Sequence, residues 1–174
     1  MPTVIDALIS RQDAILSYLR GQHEISLALE LEANFKKLLI IACGSYFEAE
    51  LINCLEMYAD KNAEQRLFAL IRNKALKRQY HTMFDWDEGR NANKFLSMFG
   101  MEFKESVARE IRDTEVCQKA MIDFLALGAE RNVLAHGNLA ALGVDKTLEE
   151  IKKMYASASH FVSFLQAKFP VSTE

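Results

Sequence analysis

Proline is almost absent from the interior of this chain. The 174 residues include two prolines, Pro2 and Pro170, and both lie at the extreme ends. Because proline breaks helices and the seven glycines are scattered, little between the ends interrupts a helix. With 50% hydrophobic residues the chain can bury a substantial core, and its length is that of one domain. We therefore expect an all-α protein in which residues 1–174 form a single compact helical bundle.

The spacing of apolar residues predicts the positions of the helices, since apolar side chains recur every three to four residues along most of the chain. The predicted helices cover residues 4–20, 24–61, 66–78, a short stretch ending at Gly100, 102–112, a stretch ending at His136, and 147–169. In the second helix, Gly44 and Ser45 mark the natural place for a kink. Residues 79–90, which mix aromatics, charges and a glycine, are predicted to form a long loop.

Capping residues precede several of these helices. Thr3 with Asp6, and Thr147 with Glu150, have the spacing of N-terminal capping boxes. Gly137 follows the stretch that ends at His136 and is typical of a helix C-terminus. For the remaining helices the candidate caps are Asn91 or Asn93 and Asp113 or Thr114.

The cysteines indicate a reducing environment. None of the three forms a Cys-x-x-Cys pair, and Cys43 and Cys54 are eleven residues apart in one predicted helix. That spacing separates them by roughly 16 Å, which is beyond the reach of a disulfide. We expect a reduced, cytosolic protein.

The N-terminal residues lack a basic region followed by an apolar stretch, and no apolar run approaches the roughly 20 residues that a membrane helix needs. Neither secretion nor a membrane is expected. The net charge of -3 gives no overall attraction to nucleic acid, so any such role depends on local charge.

Motifs of most cofactor enzymes are absent from the sequence. It contains no glycine-rich phosphate loop, His-Glu-x-x-His, acidic calcium loop or Gly-x-Ser-x-Gly elbow. His23, His81 and His160 do not pair with one another or with cysteines at metal-ligand spacing, and we interpret them as surface or packing residues. Neither a cofactor nor a metal is predicted.

The candidate chemical site is the segment 130–137, which contains Arg131, Asn132 and His136. In an ideal helix Arg131 and His136 are about 140° apart, whereas Asn132 and His136 share a face, so that Asn132 could orient the imidazole. Arginine binds phosphate oxygens and histidine exchanges protons near neutral pH. This combination suits RNA cleavage by the 2′-hydroxyl without a metal. The alternative is an ion pair of Arg131 with Glu130 or a neighbour, and a histidine that merely caps the helix.

At these residues the sequence resembles the HEPN superfamily of helical, often metal-independent ribonucleases. Arg131-Asn-Val-Leu-Ala-His136 resembles the Arg-(polar)-x-x-x-His motif of that superfamily, and Gly137 also matches. The segment 42–50, Ala-Cys-Gly-Ser-Tyr-Phe-Glu-Ala-Glu, is similar to the second core helix of HEPN families of the RiboL-PSP type, with Glu48 at the place of their glutamate. The similarity is strong over residues 40–55 and 129–164, and vague between 60 and 112.

The resemblance implies an antiparallel bundle of four or more core helices that forms a homodimer, in which two Arg and His pairs share a cleft. In-line displacement needs a base and an acid on opposite sides of phosphorus, and a symmetric dimer supplies two histidines. Glu48, if it is near, would orient His136 or Arg131. Ser45 and Tyr46, within a turn of Glu48, are weaker candidates for substrate contacts, with packing as the alternative.

A basic block gives a second candidate for substrate binding. Residues 66–78 contain five cations and no acid, namely Arg66, Arg72, Lys74, Lys77 and Arg78. We expect Arg72, Lys74 and Arg78 to contact RNA, with Arg90 and Lys94 extending the patch. The alternative is a solvated helix face.

The leading hypothesis is therefore a metal-independent endoribonuclease whose partner is RNA. His136 transfers the proton, Arg131 stabilises the phosphorane, and Asn132 and Glu48 orient them. By analogy with the superfamily, a toxin or phage-defence role with a neutralising antitoxin or defence-system partner protein is expected. The alternatives are a catalytically silent HEPN-like module for dimerisation, nucleotide binding or partner docking, and a plain helical adaptor.

Overall fold

The computed structural model describes residues 2–77, 79–86 and 91–170. Over these ranges the chain contains helices and no strand, so the predicted all-α class is confirmed. The helices are α1 (Val4–Gly21), α2 (Ile25–Asn62), α3 (Gln65–Ile71), α4 (Tyr80–Met83), α5 (Asn93–Ser97), α6 (Met101–Asp113), α7 (Glu115–His136) and α8 (Leu148–Gln166). A π-helical turn, Arg72–Leu76, continues α3.

Both predicted capping boxes are present. The backbone N–H of Asp6 donates to the Thr3 hydroxyl at 3.0 Å, and the Asp6 carboxylate accepts from the Thr3 backbone N–H at 2.7 Å. Thr147 and Glu150 make the same reciprocal bonds at the start of α8. These bonds satisfy N–H groups that a helix leaves without partners, and they explain why α1 and α8 begin where the sequence indicates.

The weaker capping predictions were less successful. Thr114 precedes α7, but its side chain makes no capping bond, and Ala92 rather than an asparagine precedes α5. Asn91 still contributes, because its side-chain oxygen accepts from the Asn93 N–H at 3.0 Å. The final helix ends at Gln166, three residues earlier than predicted.

Helix α2 is the centre of the bundle. It runs without a break through Gly44 and Ser45, where a kink was predicted, and it packs against α1, α7 and α8. In the described part of the chain, α2 is the helix whose length and composition would allow it to cross a membrane. Ten of its residues are buried in the core, and this burial accounts for its apolar composition.

The largest fully buried side chains are aromatic and connect the long helices to the middle of the chain. The Phe84 ring stacks on Phe95 with centroids 4.8 Å apart, and its centroid is 5.0 Å from that of Phe124 on α7. Phe124 in turn contacts Phe47 of α2 and Phe161 of α8. A single aromatic cluster therefore joins α2, α7 and α8 to the segment after α4.

The prediction of a long loop over 79–90 was wrong for residues 80–83, which are helical; residues 79 and 84–86 lie outside helices, and residues 87–90 lie outside the described ranges. Residues 80–83 form α4, and the side chains of Tyr80, Met83, Phe84 and Trp86 are buried. The packing of these aromatic side chains against the rest of the protein determines this structure. Hydrophobic periodicity cannot predict it, because the segment is too short to show a period. The helix predicted over 66–78 also ends earlier than expected, at Ile71, before the π-helical turn.

Gly128 of α7 allows Trp86 to pack against the helix. An ideal Cβ at Gly128 would lie 2.0 Å from Cζ3 and 2.4 Å from Cε3 of Trp86. No side chain larger than hydrogen fits there unless the indole moves. The contact fixes Trp86, whose indole N–H also donates to the backbone carbonyl of His81 at 3.1 Å.

We predict that Gly128→Ala destabilises the protein by about 1–3 kcal/mol, the usual effect of overpacking a core. Trp86 is the chain's single tryptophan, so tryptophan fluorescence reports on the surroundings of this one side chain. For Gly128→Ala, urea unfolding should show a lower midpoint concentration, and the tryptophan emission spectrum should be shifted to the red. Gly21→Ala is the matched control, because nothing lies within 4 Å of its Cβ position. An unchanged midpoint and spectrum for Gly128→Ala would refute the close packing.

Candidate functional site

Helix α7 ends as predicted, at His136. The Gly137 N–H donates to the Val133 carbonyl at 2.9 Å, and Gly137 itself has extended backbone angles. The glycine is required by space rather than by a left-handed conformation, since a Cβ there would lie 2.6 Å from Cδ1 of Leu142 and 2.8 Å from the Val133 carbonyl oxygen. His136 is therefore the last helical residue, and its side chain is exposed.

Cations on α2 and in the loop hold the connection between α7 and α8 in place. The Lys36 ammonium donates to the Val144 carbonyl at 2.8 Å, and the Lys37 ammonium donates to the Leu139 carbonyl at 2.9 Å. Lys146 forms an ion pair with Glu130. These contacts anchor the backbone that follows His136. They also show that Glu130 pairs with Lys146 rather than with Arg131.

Arg131 reaches from α7 to α2. Its stem crosses α2 at Gly44, where an added Cβ would lie 2.8 Å from the Arg131 Cγ. The guanidinium Nη2 then donates to the Glu48 carboxylate at 2.9 Å, and Nη1 donates to the Asn132 side-chain oxygen at 3.1 Å. The side chains of Arg131 and Glu48 are 24% and 33% exposed, so the pair is partly shielded from water.

The two orienting roles suggested by the sequence have different outcomes. Glu48 was expected to orient either His136 or Arg131, and its carboxylate accepts a hydrogen bond from Arg131. Asn132 bonds to Arg131, not to His136 as expected, because the guanidinium lies within reach of its side-chain oxygen. The His136 side chain makes no hydrogen bond to any residue in the described ranges and is exposed.

A cleft of about 650 Å³ brings the four predicted catalytic residues together. The described residues that line it belong to α2, to α4 and the segment that follows α4, to α5, and to the end of α7. The lining residues are Glu48, His81, Phe84, Asp85, Trp86, Lys94, Arg131, Asn132 and His136.

Three polar members of this cleft were not predicted as site residues. His81 was interpreted as a surface or packing residue, Asp85 was not considered, and Lys94 was considered only as an extension of the basic block. Lys94 also donates to the Phe84 carbonyl at 3.5 Å. Nothing in the spacing of the sequence links these residues to Arg131 or His136. The packing of the buried aromatic side chains brings them to the cleft.

Tyr80 lies buried beside this cleft. Burial raises the pKa of its hydroxyl far above the ordinary value, the nearby Glu48 carboxylate raises it further, and Arg131 opposes the shift. The phenol therefore stays protonated and neutral near pH 7. Tyr80 is thus a packing residue beside the cleft and not a proton-transfer group.

The remaining predicted residues lie elsewhere. Ser45 is exposed on α2. Partial burial raises the pKa of the Tyr46 hydroxyl, and the nearby Glu50, Tyr155 and Asp6 raise it further. Neither Ser45 nor Tyr46 lines the cleft as the structure describes it. Their predicted substrate contacts are thus separated from Arg131 and His136.

The basic block is also separate from the cleft. Arg72 pairs with Glu56 of α2 at 3.2 Å, Lys74 is exposed on the π-helical turn, and Arg78 lies outside the described residues. Arg90, suggested as an extension of the patch, also lies outside them. Neither Arg72 nor Lys74 is among the described residues that line the cleft.

The described residues contain no metal-binding cluster. Within residues 2–77, 79–86 and 91–170, no three His, Cys, Asp or Glu side chains lie together in a way that could hold a metal ion.

Comparisons with known proteins place this site in context. The family model described as RiboL-PSP-HEPN matches residues 6–169, a range that contains Glu48, Arg131, Asn132 and His136. No curated protein and no solved structure matches the chain.

The contact between α2 and α7 predicts a measurable coupling of Arg131 with Glu48. A double-mutant cycle with Arg131→Ala and Glu48→Ala, measured by urea unfolding, should give a coupling free energy of about 0.5–1.5 kcal/mol between the two side chains, because the pair is partly buried. The more exposed Arg72–Glu56 pair is the matched control and should couple more weakly, since the Arg72 side chain is 57% exposed. Additive effects of the two Arg131 and Glu48 substitutions would show that the ion pair contributes nothing.

Proposed function

The chain belongs to the RiboL-PSP-HEPN family, and from that premise we propose that it is a metal-independent endoribonuclease that cleaves RNA by attack of the 2′-hydroxyl. HEPN domains are commonly ribonuclease-like. The observation that carries the proposal is the convergence of Arg131 and His136 on one cleft, although an ideal helix separates them by about 140°.

Arg131 supplies the positive charge. A guanidinium has five N–H donors, and two of its nitrogens are engaged by Glu48 and Asn132. The remaining donors are available to phosphate oxygens, on which charge builds in the phosphorane transition state. The bonds to Glu48 and Asn132 fix the plane of the guanidinium before RNA binds, so little entropy is lost in orienting it.

His136 is suited to proton transfer. It lies at the end of α7, on a backbone anchored by Lys36 and Lys37, and its imidazole is exposed to the cleft. A neutral imidazole has one nitrogen that can accept a proton and one that can donate a hydrogen bond. In the cleavage, a base takes the 2′-hydroxyl proton and an acid protonates the 5′ oxygen. The products are a 2′,3′-cyclic phosphate and a 5′-hydroxyl.

The cleft has charges of both signs, and two of them are cations that can bind a phosphate. Lys94 adds a second cation to Arg131, while Phe84 and Trp86 give one wall an apolar character. Apolar walls lower the local dielectric constant and strengthen the attraction of cations for a phosphate. The chain as a whole is acidic, so attraction to RNA is confined to such local surfaces. The basic block around Arg72 and Lys74 is a separate surface at which a longer RNA would make further contacts.

We further propose a homodimer that acts in the cytoplasm as a toxin or phage-defence effector, restrained by an antitoxin or another partner protein. The exposed position of His136 at a helix end is compatible with a cleft shared by two chains. An unrestrained ribonuclease would damage the cell that makes it, which is the reason to expect a neutralising partner.

One observation favours a second candidate, a catalytically silent HEPN-like module for dimerisation, nucleotide binding or docking. The Glu48 carboxylate already accepts a hydrogen bond from the Arg131 guanidinium, and this ion pair also joins α2 to α7. In that case Arg131 contributes to stability and not to chemistry. Activity measurements on variants separate the two candidates.

We predict that the purified protein cleaves mixed RNA in EDTA, and that His136→Ala and Arg131→Ala each lower the rate about 10²- to 10⁴-fold, the usual contributions of proton transfer and of charge stabilisation. His160→Ala and Arg109→Ala are matched controls, because both residues are exposed on helices outside the cleft. Their rates should equal that of the wild type. No cleavage by the wild type on any RNA supports the silent module, and undiminished cleavage by both cleft variants contradicts the site.

A further inference from the structure

The cleft contains a second imidazole from the same chain. His81 of α4 lines it together with His136 of α7, although 55 positions of sequence separate them. We propose that His81 is the second proton-transfer residue of this cleft, so that one chain supplies both the acid and the base. This inference rests on the proposed ribonuclease function and assigns a further residue to it.

The fold holds the His81 backbone firmly while leaving its side chain exposed. The neighbours Tyr80 and Met83 are buried in the core, and the Tyr80 ring packs against Phe84 and Trp86. The Trp86 indole N–H donates to the His81 carbonyl at 3.1 Å. A short helix exposed to solvent would not fix an imidazole, but these contacts anchor α4 on both sides of His81.

The reaction needs two proton transfers at different oxygens. One imidazole removes the 2′-hydroxyl proton as the bond from the 2′ oxygen to phosphorus forms. The other, as imidazolium, gives its proton to the 5′ oxygen as the bond from phosphorus to that oxygen breaks. The first histidine ends protonated and the second neutral, and exchange with water restores both. No oxidant, metal or co-reactant enters this balance.

The titratable and charged groups around the two histidines come from every element that forms the cleft. Two are carboxylates, two are permanent cations, and one is a phenol that burial keeps neutral; they are Glu48, Asp85, Lys94, Arg131 and Tyr80. Arg131 is held by Glu48 and keeps its remaining N–H donors for the phosphate, while Asp85 and Lys94 are the other described charges that line the cleft beside the histidines. The described part of the cleft thus places charges of both signs beside the two imidazoles.

A two-histidine cleft within one chain changes the role of the dimer. The resemblance to HEPN proteins suggested that a partner chain must supply the second histidine. With His81 in the cleft, a single chain has both groups, and dimerisation is no longer needed to complete the proton-transfer pair. Cleavage by a monomer is then chemically possible.

The test compares single-turnover cleavage in EDTA by the wild type, His81→Ala, His136→Ala and the control His160→Ala, from about pH 5 to about pH 9. We expect His81→Ala to lose about 10²- to 10⁴-fold in rate and to lose one limb of the bell-shaped pH profile. Binding is measured separately, by quenching of Trp86 fluorescence with an RNA that carries a 2′-deoxynucleotide at the mapped cleavage position. The affinity of His81→Ala should stay within about threefold of wild type.

An RNA with sulfur in place of the 5′ leaving oxygen assigns the acid, because a thiolate leaves without protonation. It should restore cleavage by one of the two variants, His81→Ala or His136→Ala, and not by the other. Restoration of neither or of both would contradict a division of acid and base between these residues.

The outcomes separate this inference from the proposed function. A wild-type protein that cleaves no RNA refutes the ribonuclease itself. A wild type that cleaves, a His136→Ala that does not, and a His81→Ala with the wild-type rate refute only the role of His81. A loss in His81→Ala that comes entirely from weaker RNA binding, with the pH profile unchanged, also overturns it.

Discussion

The contact between Arg131 and Glu48 joins the two halves of the site across the core. It depends on Gly44, because the arginine stem crosses α2 where any larger residue would collide with it. The guanidinium is fixed at one end of the cleft, and the last turn of α7 carries His136 to the same cleft. A second glycine, Gly128, lets Trp86 pack on α7, and the Trp86 indole N–H bonds to the His81 carbonyl beside the cleft. Two close approaches of this kind, each permitted by a missing Cβ, bring Arg131 and Trp86 into the positions from which they line the cleft.

Local patterns in the sequence were sufficient for the fold class and the principal helix boundaries. Capping boxes and 3.6-residue periodicity act over a few residues, so Thr3, Thr147 and Gly137 could be interpreted without tertiary information. Helix α4 was not predicted because the segment that contains it is held by burial of Phe84 against Phe95 and Phe124. Such contacts connect distant parts of the chain, and no local pattern records them.

The candidate site was partly predictable for the same reason. Arg131, Asn132 and His136 form one local motif, and the resemblance to HEPN proteins linked Glu48 to it. His81, Asp85 and Lys94 come from other elements, and only the packing of α4 and α5 brings them to the cleft. Conversely, proximity to Glu48 along the chain wrongly suggested that Tyr46 shares its surroundings, whereas Tyr46 lies near Tyr155 and Glu50. On a helix, residues two positions apart point in different directions.

The central claim is that this cleft cleaves RNA through the 2′-hydroxyl, and one substrate tests it most directly. The measurement is cleavage, in EDTA, of an RNA that carries a single 2′-O-methyl group at the mapped cleavage position, with the unmodified RNA beside it. The account predicts that cleavage at the modified position stops while other positions are still cut, and that unmodified RNA yields 2′,3′-cyclic phosphate ends. Cleavage at the methylated position at the unmodified rate, with 3′-hydroxyl ends, would contradict it.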